Sequence, residues 1–324
     1  VSKRHVLGFD VGGTNVRCAL LNEDGEILAR ARAPMPKAPT IGNTTDTMAG
    51  LAAQCEKESG INRQAIACAG IGSPGPLNSR SGWIVHTPNL PWKNEPFAPI
   101  VEERLKIKTF LEGDANAAGW GEYWRGAGRN VSSLVMFTLG TGVGGCLILD
   151  GRLVRGPDDS GGHLGHTPAT PYGAVCGCGA HGCLETIASA TAVARRLRDA
   201  AARGVGLCGG LPPEKIAVLT ARDASAAAEK GCPTAREILA EAGRALGRAA
   251  AFLANALNPD VCVVGGGLVS AADKILEPMR IEFLRAALPD AGRRLRIVPA
   301  ALGDDAGVSG AAGLALARLH EEKK

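Results

Sequence analysis

The stretch HVLGFDVGGTNVRCALLNEDGEILARARA, His5 to Ala33, alternates strand-forming residues with turn signals. Strand-like residues run to Asp10, Gly12-Gly13 turns the chain, Asn15 to Leu21 reads as a second strand, and Asn22 to Glu26, with Asp24-Gly25, turns it into a third. The same order returns at Ser132 to Val154, SSLVMFTLGTGVGGCLILDGRLV, where Gly140 to Gly145 and then Asp150-Gly151 supply the turns. Two copies of one design are therefore expected. After each opening come further strands, Ala65 to Ile71 and Lys108 to Glu112 in the first half, Asp260 to Val264 and Leu295 to Pro299 in the second. Helices are expected at Thr44 to Ser59, Ala115 to Arg125, Glu185 to Arg203, Thr234 to Leu257 and about Ala306 to His320, which makes both halves α/β. The Ala, Gly and Arg-rich segment Ala200 to Ala228 reads as the least constrained part.

A chain of 324 residues is long enough for two lobes around a cleft. With 45% hydrophobic and 21% charged residues it falls in the globular range, which excludes extensive disorder. The net charge of +4 is spread out, so no basic stripe marks a nucleic acid or membrane partner. The apolar run after His5 meets Asp10 too early for a signal sequence, and no apolar run is long enough to span a bilayer, so a cytoplasmic protein is expected.

Asp10-x-Gly12-Gly13-Thr14 places a carboxylate at a strand end, two glycines that let phosphate oxygens approach backbone amides, and a hydroxyl. It is also an ordinary hairpin turn. Gly140-Thr141-Gly142-Val143-Gly144-Gly145 fits the dinucleotide pattern by spacing, but a strand follows it where that pattern needs a helix. Two related glycine turns could close on a polyphosphate from opposite sides, with Gly265, Gly266 and Gly267, at the end of the strand VCVV, against a base or ribose.

His166, Cys176, Cys178 and Cys183 form H-x9-C-x-C-x4-C with glycines between the cysteines. Three thiolates and one imidazole suit a closed, tetrahedral zinc site with no open position for water. The loop leads straight into Glu185. Asp114, where a strand ends and a helix begins, has two readings: a helix cap, or the carboxylate that accepts a hydroxyl proton in phosphoryl transfer.

Taken together, these residues resemble the ROK family (repressor, open reading frame, kinase), most closely its bacterial glucokinase-like sugar kinases. The carriers are Asp10-Val11-Gly12-Gly13-Thr14, Ser73-Pro74-Gly75-Pro76, Pro88-Asn89-Leu90 with Trp92, Asp114-Ala115-Asn116-Ala117-Ala118 with Gly121-Glu122, Leu139-Gly140-Thr141-Gly142, the His and three Cys, Gly182-Cys183-Leu184-Glu185 and Val264-Gly265-Gly266-Gly267. The resemblance implies an actin/hexokinase-type duplicated ATPase fold, with ATP and magnesium between two lobes, structural zinc and commonly a homodimer. It implies a small lobe of residues 1–114 plus 305–324 and a large lobe of 115–304, with the zinc loop at 163–185. It further implies Asp114 as general base, Asn89, His166 and Glu185 on sugar hydroxyls, and Asp10, Gly12, Gly13, Thr14, Gly140, Thr141 and Gly142 around phosphates and metal.

Two positions depart from the family pattern. Gly113 stands where Asn is usual before the catalytic Asp, and His163 where Glu heads the Glu-x-Gly-His motif; both positions normally touch sugar. The expected reaction is ATP-dependent phosphorylation of a hexose at its 6-hydroxyl, glucose first, with an N-acetylhexosamine such as N-acetylmannosamine or N-acetylglucosamine, or fructose or allose, as alternatives. The family's sugar-responsive repressors carry an N-terminal helix-turn-helix domain, and with a first strand already expected by His5 such a domain is not expected here. A non-catalytic sugar sensor would not need Asp114 and Asp10.

Overall fold

The computed structural model describes residues 4–205, 211–268 and 272–322. The first half opens with β1 (His5–Val11), β2 (Asn15–Asn22) and β3 (Ile27–Pro34), an antiparallel meander in which Asp10 faces Arg17 across the first hairpin. Helix α1 (Ile41–Ser59) follows, started by Thr40, whose hydroxyl accepts the Asn43 amide while the Asn43 side chain accepts from Thr40. It begins three residues earlier than expected because that reciprocal cap lies outside the apolar periodicity. Then come β4 (Ile66–Ser73), the short strands β5 (Leu77–Asn78), β6 (Trp83–His86) and β7 (Lys93–Glu95), helix α2 (Phe97–Leu105) and β8 (Thr109–Gly113). The first sheet runs β3-β2-β1-β4-β8, with β4 parallel to both β1 and β8.

Helix α3 (Asp114–Arg125) leads into β9 (Leu134–Leu139), β10 (Val143–Leu149) and β11 (Arg152–Leu153). After the loop bearing the cysteines come α4 (Glu185–Ala188), α5 (Ala190–Ala202), α6 (Pro213–Ala217), α7 (Ala221–Glu229) and α8 (Pro233–Leu257). The chain continues with β12 (Val261–Gly265), α9 (Ala272–Ala286), α10 (Pro289–Arg294), β13 (Arg296–Pro299) and α11 (Ala306–Glu321). The second sheet, β11-β10-β9-β12-β13, repeats the first strand for strand: an antiparallel meander, then two parallel additions. The duplicated α/β design read from the glycine turns is present.

The single helix expected from Glu185 to Arg203 is two. Ser189 breaks it, its hydroxyl accepting the Ala192 amide as the cap of α5. Within Ala200 to Ala228, read as the least constrained part, α6 and α7 form, with Ala224, Ala227 and Ala228 of α7 buried against α8; residues 206–210 of that segment lie outside the described residues.

Layering explains where a cleft forms. Helix α1 covers one face of the first sheet, and α11 with α3 the other. A Cβ on Gly8 of β1 or Gly70 of β4 would run into the Val308 or Ala311 carbonyl, so two glycines let α11 lie directly on the strands. On its opposite side α3 meets β9 and β10, so it is wedged between the sheets while α8 and α9 cover the far face of the second. Whatever stands at the N-terminus of α3 therefore faces both halves. Among the described residues no helix is long and apolar enough to cross a membrane.

Candidate active site

The ends of β1, β8 and β12 open on a cleft of about 470 Å³, whose walls include Asp10, Arg17, Asp114, the glycines 265–267 and Asp304. Asp10 accepts a hydrogen bond from Arg17 at 3.0 Å, and the same guanidinium reaches Asp304 at 3.4 Å. Burial raises the Asp10 carboxyl from its ordinary value, Arg17 draws it back, and Asp304 adds to the rise.

Asp114 is the first residue of α3, and Gly113 occupies the cap position, so the simple helix-cap reading of Asp114 does not hold. Its Oδ1 accepts the Ala115 amide at 2.7 Å. Cleft solvent reaches the carboxylate, yet the surrounding walls crowd it. This desolvation raises its pKa, the Ala115 amide lowers it, Asp10 raises it and His163 lowers it, with a net rise. Asp114 also borders a second, smaller pocket of about 100 Å³ with Glu112, Gly113, Asn116, Asp159 and His163. It is thus shared by two cavities.

The residues of the two glycine turns do not line the larger cleft. Gly13 is next to Asn89, and the Gly140–Thr141 turn is tied to the start of α5 by the Ala190 amide and the Thr191 hydroxyl. The amides of Gly12 and Gly140 close their own turns, onto the carbonyls of Asn15 and Gly142; those of Gly13, Thr14, Thr141 and Gly142 take no part in this. A Cβ would find nothing within 4 Å at Gly140 or Gly267, and only contacts of 3.6 Å or more at Gly12 and Gly13. The fold itself does not demand glycine there. Gly266 differs: its φ of +93° and its closeness to the Leu139 backbone require it.

His166, Cys176, Cys178 and Cys183 converge, with all four ligand atoms within 4.8 Å of one another. Cys176 Sγ lies 3.5 Å from His166 Nδ1, and Cys178 Sγ 3.6 Å from Cys183 Sγ. Tetrahedral zinc with Zn–S of about 2.3 Å and Zn–N of about 2.0 Å sets edges of about 3.5–3.8 Å. The donor set therefore fits zinc. His181 is exposed, near the Gly173 carbonyl, and stands outside the cluster. Glu185 bridges this loop to the second glycine turn: one carboxylate oxygen accepts the Val143 amide at 2.9 Å, and the other is 3.8 Å from Cys176 Sγ.

Of the residues singled out in the sequence, Asp10, Asp114 and Gly265–Gly267 share the larger cleft, His163 joins Asp114 in the smaller pocket, and Glu185 and His166 meet at the metal cluster. Asn89 is exposed beside Gly13 and borders neither cavity. Arg17, Arg155 and Asp159 also border these cavities or hold their walls, and no sequence motif marks them. Arg17 did leave a signal, as the one charged residue in a strand of otherwise apolar and neutral side chains.

Two sheets of one strand order, with a carboxylate-lined cleft between them, define a duplicated fold of the actin/hexokinase type. The family model of the ROK family matches residues 6–318, and the chain belongs to that family. A glucokinase of Halalkalibacterium halodurans is 36% identical over 311 residues, 96% of this chain and 94% of that protein. An N-acetylmannosamine kinase of Shigella flexneri is 34% identical over 314 residues, 96% of this chain and 98% of its own. The crystal structure of a ROK family glucokinase from Streptomyces griseus, in complex with glucose and AMPPNP, superposes with a TM-score of 0.80 at 32% identity, covering 97% of this chain and 99% of that one.

Proposed function

We propose that this protein is an ATP-dependent hexose kinase that transfers the γ-phosphoryl group to the 6-hydroxyl of glucose. The observation that carries the reading is the place of Asp114, one carboxylate bordering both a larger cleft fit for a nucleotide and a smaller polar pocket fit for a sugar. Its relatives named glucokinase support the acceptor.

In this reading ATP phosphates lie on the amides of Gly13, Thr14, Thr141 and Gly142, and the adenosine near Gly265–Gly267. Asp10 keeps one oxygen, Oδ1, that Arg17 does not occupy. Magnesium needs only one or two carboxylates beside phosphate oxygens, so Asp10 fits its protein side. Held there, the ion would supply neutralising charge to the phosphates. Asp114 takes the proton of the acceptor hydroxyl as that oxygen attacks the γ-phosphorus and the bond to the ADP oxygen breaks. His163 orients the sugar from the wall of the Asp114 pocket, with Asn89, His166 and Glu185, which lie outside that pocket, proposed to reach it from the flanking loops; His166 Nδ1 and the three cysteines would hold zinc, which would fix their loop. The lobes are assigned as 1–114 with 305–324, and 115–304.

A second reading, an N-acetylhexosamine acceptor, is favoured by the open space at Gly113, where a Cβ would meet only Asn116 at 3.7–4.0 Å. Exposed apolar side chains on α8 (Phe252), α9 (Ile281, Leu284) and just beyond (Leu288) support a homodimer. The free cysteines among the described residues support a reducing, cytoplasmic setting. The deciding experiment is ATP consumption over a panel of glucose, mannose, fructose, allose, N-acetylmannosamine and N-acetylglucosamine. Glucose-dependent ADP release is the expected result. Release with another sugar alone corrects the acceptor, and release with none overturns the kinase reading.

A further inference from the structure

The loop from Arg155 to His163 leaves the second sheet after β11 and is fastened to the first half at two points. At one, Arg155 Nε donates to Glu112 Oε2 at 2.7 Å, while Glu112 Oε1 accepts from Asn116 Nδ2 and the Gly113 amide, each at 3.0 Å. Glu112 is almost wholly buried, so parting this ion pair would strand a charge away from water. At the other, Asp159 takes both donors of one residue: its Oδ2 accepts the Ser79 amide and its Oδ1 the Ser79 hydroxyl, each at 2.8 Å. Ser79 directly follows β5, and its carbonyl is held by Arg318 at 2.8 Å. Asp159 is half-buried with φ of +55°, a left-handed conformation that Asp tolerates.

The two fastenings differ in kind. Arg155–Glu112 is a buried ion pair, whereas Asp159 is held by uncharged donors at the edge of a pocket, where water or a sugar hydroxyl can replace them. Asp159, Gly161 and His163 of this loop line the Asp114 pocket together with Gly144 and Gly145 of β10, Gly75 to Leu77 and Glu112 to Asn116. Ser79 follows Leu77 by two residues, so its bond to Asp159 ties this loop to the segment that carries Gly75 to Leu77.

We propose that Asp159 is a positioning residue for the acceptor: by gripping Ser79 it seats the His163-bearing loop across the pocket of Asp114 and so sets how closely the sugar is held. This rests on the kinase reading above. It places the effect on the acceptor side alone, since Asp159 does not border the larger cleft.

The test compares Asp159→Ala, Asp159→Asn, Ser79→Ala and the Asp159→Ala/Ser79→Ala pair with the parent enzyme. Steady-state kinetics are measured on the sugar the parent phosphorylates, with hydrogen exchange followed over residues 75–82 and 155–163. Loss of two charge-assisted bonds in Asp159→Ala should raise the acceptor KM by about tenfold, with the ATP KM unchanged and kcat altered less than twofold. Asp159→Asn, which still accepts one bond, should recover part of the loss. Ser79→Ala should give a smaller rise, and the pair should be no worse than Asp159→Ala. Exchange in both segments should quicken in Asp159→Ala. An unchanged acceptor KM, an equal rise in both KM values, or full additivity in the pair would overturn the proposal. If the parent phosphorylates no sugar, the kinase reading falls, and unchanged exchange in Asp159→Ala would then overturn the grip itself.

Discussion

Glu185 accepts the amide proton of Val143 at 2.9 Å, and a Cβ placed on Gly142 would collide with the same carboxylate. The second glycine turn and the metal loop are therefore one mechanical unit. A substitution at Gly142 disturbs Glu185 as well as any phosphate lying on the turn, and so does not separate donor from acceptor effects.

Gly140 does separate them, because a Cβ there meets nothing within 4 Å. Gly140→Val is expected to leave thermal stability unchanged and to weaken ATP about tenfold or more by blocking phosphate approach to the amides. Sugar affinity measured without nucleotide should stay at the parent value. Nucleotide and sugar titrations of the variant check this, and equal losses would move the phosphate site elsewhere.

Asp114 must be ionised to accept a proton. Its carboxyl is raised by crowding in the cleft, so kcat/KM should fall on the acid side through a pKa above the ordinary aspartate value of about 3.9. Asp114→Asn should lower kcat by about a hundredfold or more while ATP still binds. Near-normal turnover in that variant would remove Asp114 from the chemistry.

For the metal cluster, elemental analysis should find about one zinc per chain, held by His166, Cys176, Cys178 and Cys183. Cys178→Ser should lose the ion and lower the melting temperature, because metal binding and local folding are linked. A metal-free protein of full stability would overturn the assignment.

Asp260 offers a test by pH. Partial burial favours its neutral form, but the Ser132 hydroxyl, the Ser133 amide, Arg294 and the Ser132 amide outweigh this and bring its pKa down to about 2. A folded pKa below the unfolded value of about 3.9 adds stability that is complete above that value and lost as pH falls through about 2. Asp260→Asn should cost about 2 kcal/mol at neutral pH, with its denaturation midpoint approaching the parent's between about pH 4 and pH 2. A gap that stays constant across this range would contradict the shift.

At the acceptor pocket, Gly113→Asn with His163→Glu restores the family's usual pair. Gly113 has ordinary backbone angles and room for a side chain. If two hydrogen bonds of about 0.5–1.5 kcal/mol each return, kcat/KM on glucose should rise roughly tenfold. A fall on glucose with a gain on no other sugar would show that these residues do not set the acceptor.

The duplicated sheets were legible because each meander is local: strand, glycine turn and strand lie within thirty residues, and the metal ligands follow a spacing dictated by their chemistry. The small sheet β5-β6-β7 was not, since strands of two to four residues carry too little alternation to read. Nor was α7, whose buried face is built from alanines that mark no periodicity. At the site, Asp10, Asp114 and Glu185 announced themselves as acids at element ends. Arg155–Glu112 and Asp159–Ser79 did not, because they join residues 43 and 80 positions apart and exist only once the two halves have met.

The helix lying on Gly8 and Gly70 has a consequence for how the chain is made. Strand β8 completes the first sheet at Gly113, yet α11, which covers one face of that sheet, begins only at Ala306. While the ribosome works through the whole second half, Leu21, Cys68 and Phe110 have no α11 to pack against. The half translated first is thus the half finished last, and this interval of synthesis is when exposed apolar surface most favours aggregation or capture by a chaperone.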